Sequence, residues 1–160
     1  MHMGRSNIAL DNRVAVIDGK GTNVAGLAHG TTVMTLDGEK SVEDLTAGTR
    51  VITRDSGMAI LRSVTTTEVT VASIKVKAGS LGHTRPDKDI IVGPDALVHI
   101  RDWRAKALFG ADVATVKARR LVDGEFISEQ PAAKIKVYEL TFDRQHILYA
   151  DGLEVASAAV

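Results

Sequence analysis

Asp37-Gly38-Glu39-Lys40-Ser41-Val42-Glu43-Asp44-Leu45-Thr46-Ala47-Gly48-Thr49-Arg50-Val51-Ile52-Thr53 is the stretch that decides the fold of this 160-residue chain. Asp37-Gly38 is a hairpin-type turn, because both residues tolerate the positive φ that tight turns demand. Thr31–Thr35, just before it, is a compact β-type run, so the turn joins two strands. Ser41 with an acid three residues on, Asp44, is a variant of the capping box, and Gly48 is a natural stop. The segment between them predicts one short capped helical turn with Val42 and Leu45 facing inward. Arg50–Thr53 then returns to β.

The same alternation continues outward in both directions. Met58–Val71 reads as one long strand rich in Val, Ile and Thr, joined to Arg50–Thr53 at Asp55-Ser56-Gly57. In Ser73–Ala78, Ile74, Val76 and Ala78 point one way and Lys75 and Lys77 the other. A polar loop with Pro86 follows, then short apolar strands at Asp89–Val92 and Leu97–Ile100, interrupted at Gly93-Pro94. Trp103–Phe109 predicts a helical turn, and Val113–Leu121 is open between strand and helix. Lys134–Phe142, Gln145–Tyr149 and Leu153–Ala156 complete the set, the last two joined at Asp151-Gly152. Upstream, residues 1–24 are polar and Gly-rich, with one strand expected at Arg13–Ile17, and Met1-His2-Met3-Gly4-Arg5-Ser6 reads as a vector-derived leader. Short strands at close spacing, with no long periodic helix, make the fold all-β.

Composition narrows the function classes. Hydrophobic residues make up 44% and charged residues 25%, which suits one packed domain. Aromatics are only 4%, so the core must be built from aliphatic residues. Lys+Arg and Asp+Glu are both 20, giving a net charge of 0, and a nucleic-acid partner is not expected. Cysteine is absent, which excludes disulfides, Cys-ligated zinc and a thiol nucleophile. No apolar run approaches the ~18 residues of a membrane span, and no signal peptide is visible, so no membrane partner is expected and the cytoplasm is the default compartment.

Four segments in order resemble the bacterial branch of the Hint (Hedgehog/intein) family. They are Gly26-Leu27-Ala28-His29-Gly30-Thr31-Thr32-Val33, the stretch from Asp37 to Thr53, Lys77 to Gly82 continuing to Asp89 through Val98 with Gly93-Pro94-Asp95-Ala96 inside it, and Tyr138 through Ser157. The second and fourth carry the resemblance, and Ala118–Gly124 fits as a connecting stretch. The resemblance implies a flattened horseshoe of antiparallel strands with pseudo-two-fold symmetry and a central cleft. It implies a lead-in over residues 1–25 and a Hint-like domain over 26–157, whose two ends lie side by side in one sheet.

In this family self-processing starts when a Cys or Ser at the first position attacks the carbonyl before it. A histidine in the middle block, preceded by Thr or Ser, helps the amide nitrogen leave, and a closing-block histidine assists later cleavage. Carried over residue by residue, the nucleophile position is Gly26, the Thr/Ser position is Gly93 and the middle-block histidine position is Ala96. The closing histidine is His146, with Asp143 nearby. The expected function is therefore a catalytically degenerate Hint-like domain, a pseudoenzyme that does not cleave itself. It would act as a protein-interaction or structural module in contact with another protein or a larger assembly. Two alternatives are a self-processing peptidase with Thr31 or Thr32 as its nucleophile, and an unrelated small β-barrel that binds a ligand. No cofactor and no metal are expected.

Each candidate also has a plain structural explanation. His146 is expected to be a bonded core histidine, and His29 and His99 rim residues. Lys75/Lys77 and Arg119/Arg120 are expected to be solvated faces. Trp103 and Phe109 read first as a satellite core, but together with His29 they are the candidates for binding.

Overall fold

The computed structural model describes residues 15–18 and 23–160. Arg13 and Val14 of the expected first strand, and most of the lead-in, lie outside the described residues. In chain order the strands are β1 (Ala15–Asp18), β2 (Leu27–Ala28), β3 (Thr32–Thr35), β4 (Gly38–Ser41), β5 (Arg50–Thr53), β6 (Gly57–Ile60), β7 (Ser63–Val71) and β8 (Ile74–Val76). They continue as β9 (Ile90–Val92), β10 (Leu97–Ile100), β11 (Ala114–Lys117), β12 (Ile127–Glu129), β13 (Ala133–Phe142), β14 (Ile147–Ala150), β15 (Leu153–Ala156) and β16 (Ala158–Ala159). One α-helix, α1 (Trp103–Phe109), and two 3-10 turns, Val42–Asp44 and Ala118–Leu121, complete the described elements.

Among the described residues the strands form two eight-stranded sheets. One runs β1-β7-β13-β2-β9-β8-β12, with β16 also on β13; the other runs β11-β10-β15-β14-β3-β5-β6, with β4 on β3. The fold is all-β, as the turn chemistry predicts. Its pairings are antiparallel except at the two ends of the chain, where β1 on β7 and β16 on β13 are parallel. The inner faces bury Val33, Val42, Val51, Leu61, Ile74, Ile100, Phe142 and Leu148, so an aliphatic core does replace the missing aromatics. Among the described residues no helix is long and apolar enough to cross a membrane.

Two local expectations are corrected and one open segment is resolved. The Ser41–Leu45 turn buries Val42 and Leu45 as expected, but it is a 3-10 turn and the Ser41 side chain makes no cap bond. Its closing bond is Leu45 N–H to the Val42 carbonyl, and Glu43 reaches out to accept Gly30 N–H at 2.9 Å. The expected strand Met58–Val71 is two strands in different sheets. Leu61 N–H donates to the Thr49 carbonyl in one sheet, and Arg62 N–H donates to the Thr141 carbonyl in the other. The crossing leaves both amides satisfied, so no Gly or Pro is needed to mark it. Val113–Leu121, left open between strand and helix, is β11 followed by the second 3-10 turn.

Candidate functional site: a cleft between the first and last strands

β13 positions the site. From Ala133 to Thr141 it pairs with β7 on one edge. On the other edge, β2 pairs with Val137 and Tyr138, and β16 pairs with Thr141 and Phe142. The two ends of the domain therefore meet along a single strand. Between them Glu139 and Leu140 have no strand partner on that edge among the described residues. This break opens into a cavity of about 260 Å³. Its apolar wall comes from Leu27, Leu97, Leu140, Leu148 and Val155, and its polar groups include Asp95, Lys117, Glu139, Gln145 and Ser157.

Gly26 and Ala96 both line this cavity. Gly26 sits at φ +126°, and a Cβ built there would lie 2.9 Å from the Tyr138 carbonyl oxygen. Both the backbone conformation and the contact exclude a side chain at this position. Gly93 is closer still to its neighbour: a Cβ there would lie 2.4 Å from the Val24 carbonyl oxygen. Ala96 is buried and presents only a methyl group.

The space that side chains would need is filled by the backbone of the preceding segment. Gly93 N–H donates to the Gly26 carbonyl at 3.0 Å, and Asp95 N–H donates to the Val24 carbonyl at 2.9 Å. The Asp95 carboxylate accepts Val24 N–H through Oδ2 at 2.7 Å. Its Oδ1 takes Arg119 at 2.6 Å and Lys117 at 3.4 Å. Asp95 is almost fully buried, so this charged acceptor is held by two cations on one side and one backbone amide on the other. The Ala25–Gly26 peptide bond is thus pinned from both ends.

His146 does not line the cavity. It is buried, stacks edge-on against Phe142, and places Nδ1 3.0 Å from Asp55 Oδ2. Its backbone exchanges hydrogen bonds with Ser157, whose hydroxyl accepts the His146 N–H. Partial burial alone would raise the Asp55 carboxyl, but bonds from Ile147 N–H and His146 hold it below the usual carboxylate range. Asp143 is exposed and pairs with Arg62. The carboxylate that meets His146 is therefore Asp55, from the β5–β6 turn, and the closing-block residue that enters the cavity is Gln145.

The candidate binding residues are dispersed. His29 is more than half exposed; its Nδ1 lies 2.9 Å from the Tyr138 hydroxyl and its Nε2 3.7 Å from Glu43. It does not line the cavity. Trp103 is 66% exposed under the Arg104 guanidinium, whereas Phe109 packs on the core with Arg120 over its ring. Among the described residues there is no group of three His, Cys, Asp or Glu that could hold a metal ion.

Asp95, Glu139, Gln145 and Asp55 are the residues that sequence reasoning passed over. Only Asp95 carried a signal, its place between two mapped positions. Glu139 has no hydrogen-bond or ion-pair partner among the described residues, and burial pushes its carboxyl up from the ordinary value of 4.5. A raised folded-state pKa means that stability falls as pH rises from 4.5 through the folded value. Glu139→Gln is therefore expected to raise the denaturant midpoint at pH 7, with the gain vanishing below pH 4.5. A midpoint difference that did not change with pH between about 4 and 7 would contradict this assignment.

Two sheets that meet at a cleft flanked by the domain's first and last strands define an intein-like fold. The chain belongs to the Hint domain family, whose model matches residues 25–159. Among solved structures it is similar to a bacterial intein-like domain from Clostridium thermocellum, at 18% identity and a TM-score of 0.55, covering 84% of this chain and 98% of that one. It is also similar to the TvoVMA intein, at 12% identity and a TM-score of 0.60, with the same coverages. At these identities the likeness concerns the fold alone. No curated protein matches the chain. The family match overturns the alternative of an unrelated β-barrel.

Proposed function

We propose that this is a catalytically silent Hint domain, which holds the polypeptide in its cleft instead of cleaving it and serves as a protein-interaction or structural module. The observation that carries this reading is Gly26, where a nucleophile's Cβ would have to overlap the Tyr138 carbonyl oxygen. Acyl transfer needs a side-chain nucleophile within reach of the Ala25 carbonyl. The neighbouring positions supply no substitute: Ala96 has no donor, and Thr32 commits its hydroxyl to Asp151 at 2.5 Å. Neither Thr31 nor Thr32 lines the cavity. General acid–base help alone is worth ~10²–10⁴-fold, which is small beside the slowness of amide hydrolysis. The partner in this reading is another protein or a larger assembly. Intact-mass measurement over days, with and without dithiothreitol, is the test. The expected result is one unchanged mass; a new species cut at Ala25–Gly26 would overturn the reading.

A further inference from the structure

We propose that Asp37-Gly38, at the tip of the β3–β4 hairpin, is a site of spontaneous covalent modification, where aspartate converts to isoaspartate through a cyclic imide with water as the only co-reactant. Asp-Gly is the pair most open to this chemistry, because glycine puts no side chain in the way of its own backbone nitrogen. Three such pairs lie wholly within the described residues, Asp37-Gly38, Asp123-Gly124 and Asp151-Gly152. Their surroundings differ. Asp151 is buried, and its Oδ1 takes the Thr32 hydroxyl at 2.5 Å and Lys88 at 3.3 Å. Gly152 beside it is packed so closely that a Cβ there would lie 2.6 Å from the Thr84 carbonyl oxygen. Asp123 Oδ1 accepts the backbone N–H groups of Glu125, Phe126 and Ile127, each at 2.9 Å. The Gly124 N–H, the would-be nucleophile, donates to the Ile127 carbonyl at 3.1 Å. Asp37 and Gly38, in contrast, are both exposed. Two side-chain bonds hold this turn: Thr35 Oγ1 donates to the Gly38 carbonyl at 2.6 Å and accepts the Asp37 N–H at 3.1 Å. Neither bond uses the Asp37 carboxylate or the Gly38 nitrogen.

In the reaction the Gly38 nitrogen attacks Asp37 Cγ. An N–Cγ bond forms, the Cγ–OH bond of the protonated carboxyl breaks, and the hydroxyl and the amide proton leave as water. Hydrolysis of the ring takes one water back. Cleavage of N–Cγ restores aspartate. Cleavage of the bond from nitrogen to the Asp37 main-chain carbonyl carbon leaves isoaspartate, with the chain routed through Cγ and a free carboxylate at the old carbonyl. Mass is unchanged and no electron is transferred. Gly38 sits in the last pair of the β3–β4 ladder, opposite Thr35, where opening costs least. The product carries one extra backbone methylene in a two-residue turn, so the Thr35–Gly38 pair cannot re-form in register. β4 leads directly into Val42 of the core, so the loss is felt beyond the tip.

Each of the three pairs falls in its own tryptic peptide, residues 21–40, 121–134 and 145–160. The test keeps the full chain in warm, mildly acidic buffer, with and without urea, then digests it with trypsin and separates the peptides by chromatography and mass. In urea all three peptides should split into two peaks of equal mass, the new one resistant to an endoproteinase that cuts before aspartate. In the folded chain peptide 21–40 should still split, at least about tenfold faster than the other two. A 21–40 peptide that stays single in the folded chain overturns the proposal, and so does comparable conversion of all three there.

Discussion

Gly26→Cys should destabilise the domain by about 3 kcal/mol, adding backbone strain of ~1–3 kcal/mol to overpacking of similar size. The two terms have separate origins. The φ of +126° disfavours any L side chain, and the Tyr138 carbonyl oxygen 2.9 Å from the new Cβ belongs to an interior strand of its sheet, which cannot retreat without breaking the β2 and β7 ladders. Against a total stability of ~5–15 kcal/mol this is a large fraction. Urea unfolding of the variant measures it directly. The consequence reaches the chemistry. Read from sequence alone, Gly26→Cys with Ala96→His restores the two lost groups and would be expected to regain thiol-dependent cleavage. The contact at Gly26 points the other way: the new Cβ would press on the Tyr138 carbonyl oxygen, and mass spectrometry in dithiothreitol should show an intact chain. Cleavage before residue 26 in the double variant would mean that β2 can slide off β13 far enough to seat the thiol.

Asp95→Ala should cost about 3 kcal/mol and free the segment preceding the domain. The buried carboxylate makes a charge-assisted bond to Val24 N–H, and such bonds are worth ~1.5–3 kcal/mol. Its ion pairs add less than a fully buried pair would, because Lys117 and Arg119 are about half exposed and can turn to water. Lys117→Ala should therefore cost well under 1 kcal/mol. The diagnostic readout is amide hydrogen exchange. The Val24 amide, bonded to the Asp95 side chain, should lose protection in Asp95→Ala, while β7 and β13 keep theirs. Unchanged exchange at Val24 would remove Asp95 from the role of clamp.

These two residues show how far a linear reading extends into this site. Gly26 and Ala96 were placed by order and spacing, and both line one cavity. Asp143 and His146 were placed in the same way, yet one lies on the surface with Arg62 and the other turns toward Asp55. A strand's side chains alternate, so a shift of one residue exchanges His146 for Gln145 at the cleft. Spacing along the chain does not carry that parity through the irregular residues 143–146, where no ladder fixes it. The Ser41 side chain makes no cap bond at all, and the acid of this turn that finds a backbone amide is Glu43, which accepts Gly30 N–H on another segment.

The sequence by itself determined the class of fold and that residues 26 and 96 carry neither a nucleophile nor a base. Turn residues, β-branched runs and the absence of a long periodic helix are local properties, and a glycine carries no nucleophile wherever the chain puts it. Tertiary structure decided the rest. Only the pairing of β2 and β16 on one edge of β13 creates the break that exposes Glu139. The approach of Val24 to Gly93 is equally invisible in the chain, being a contact between residues 69 positions apart. Ladder pairing across distant strands sets such distances to within tenths of an ångström, and at Gly26 and Gly93 it leaves no space for a side chain.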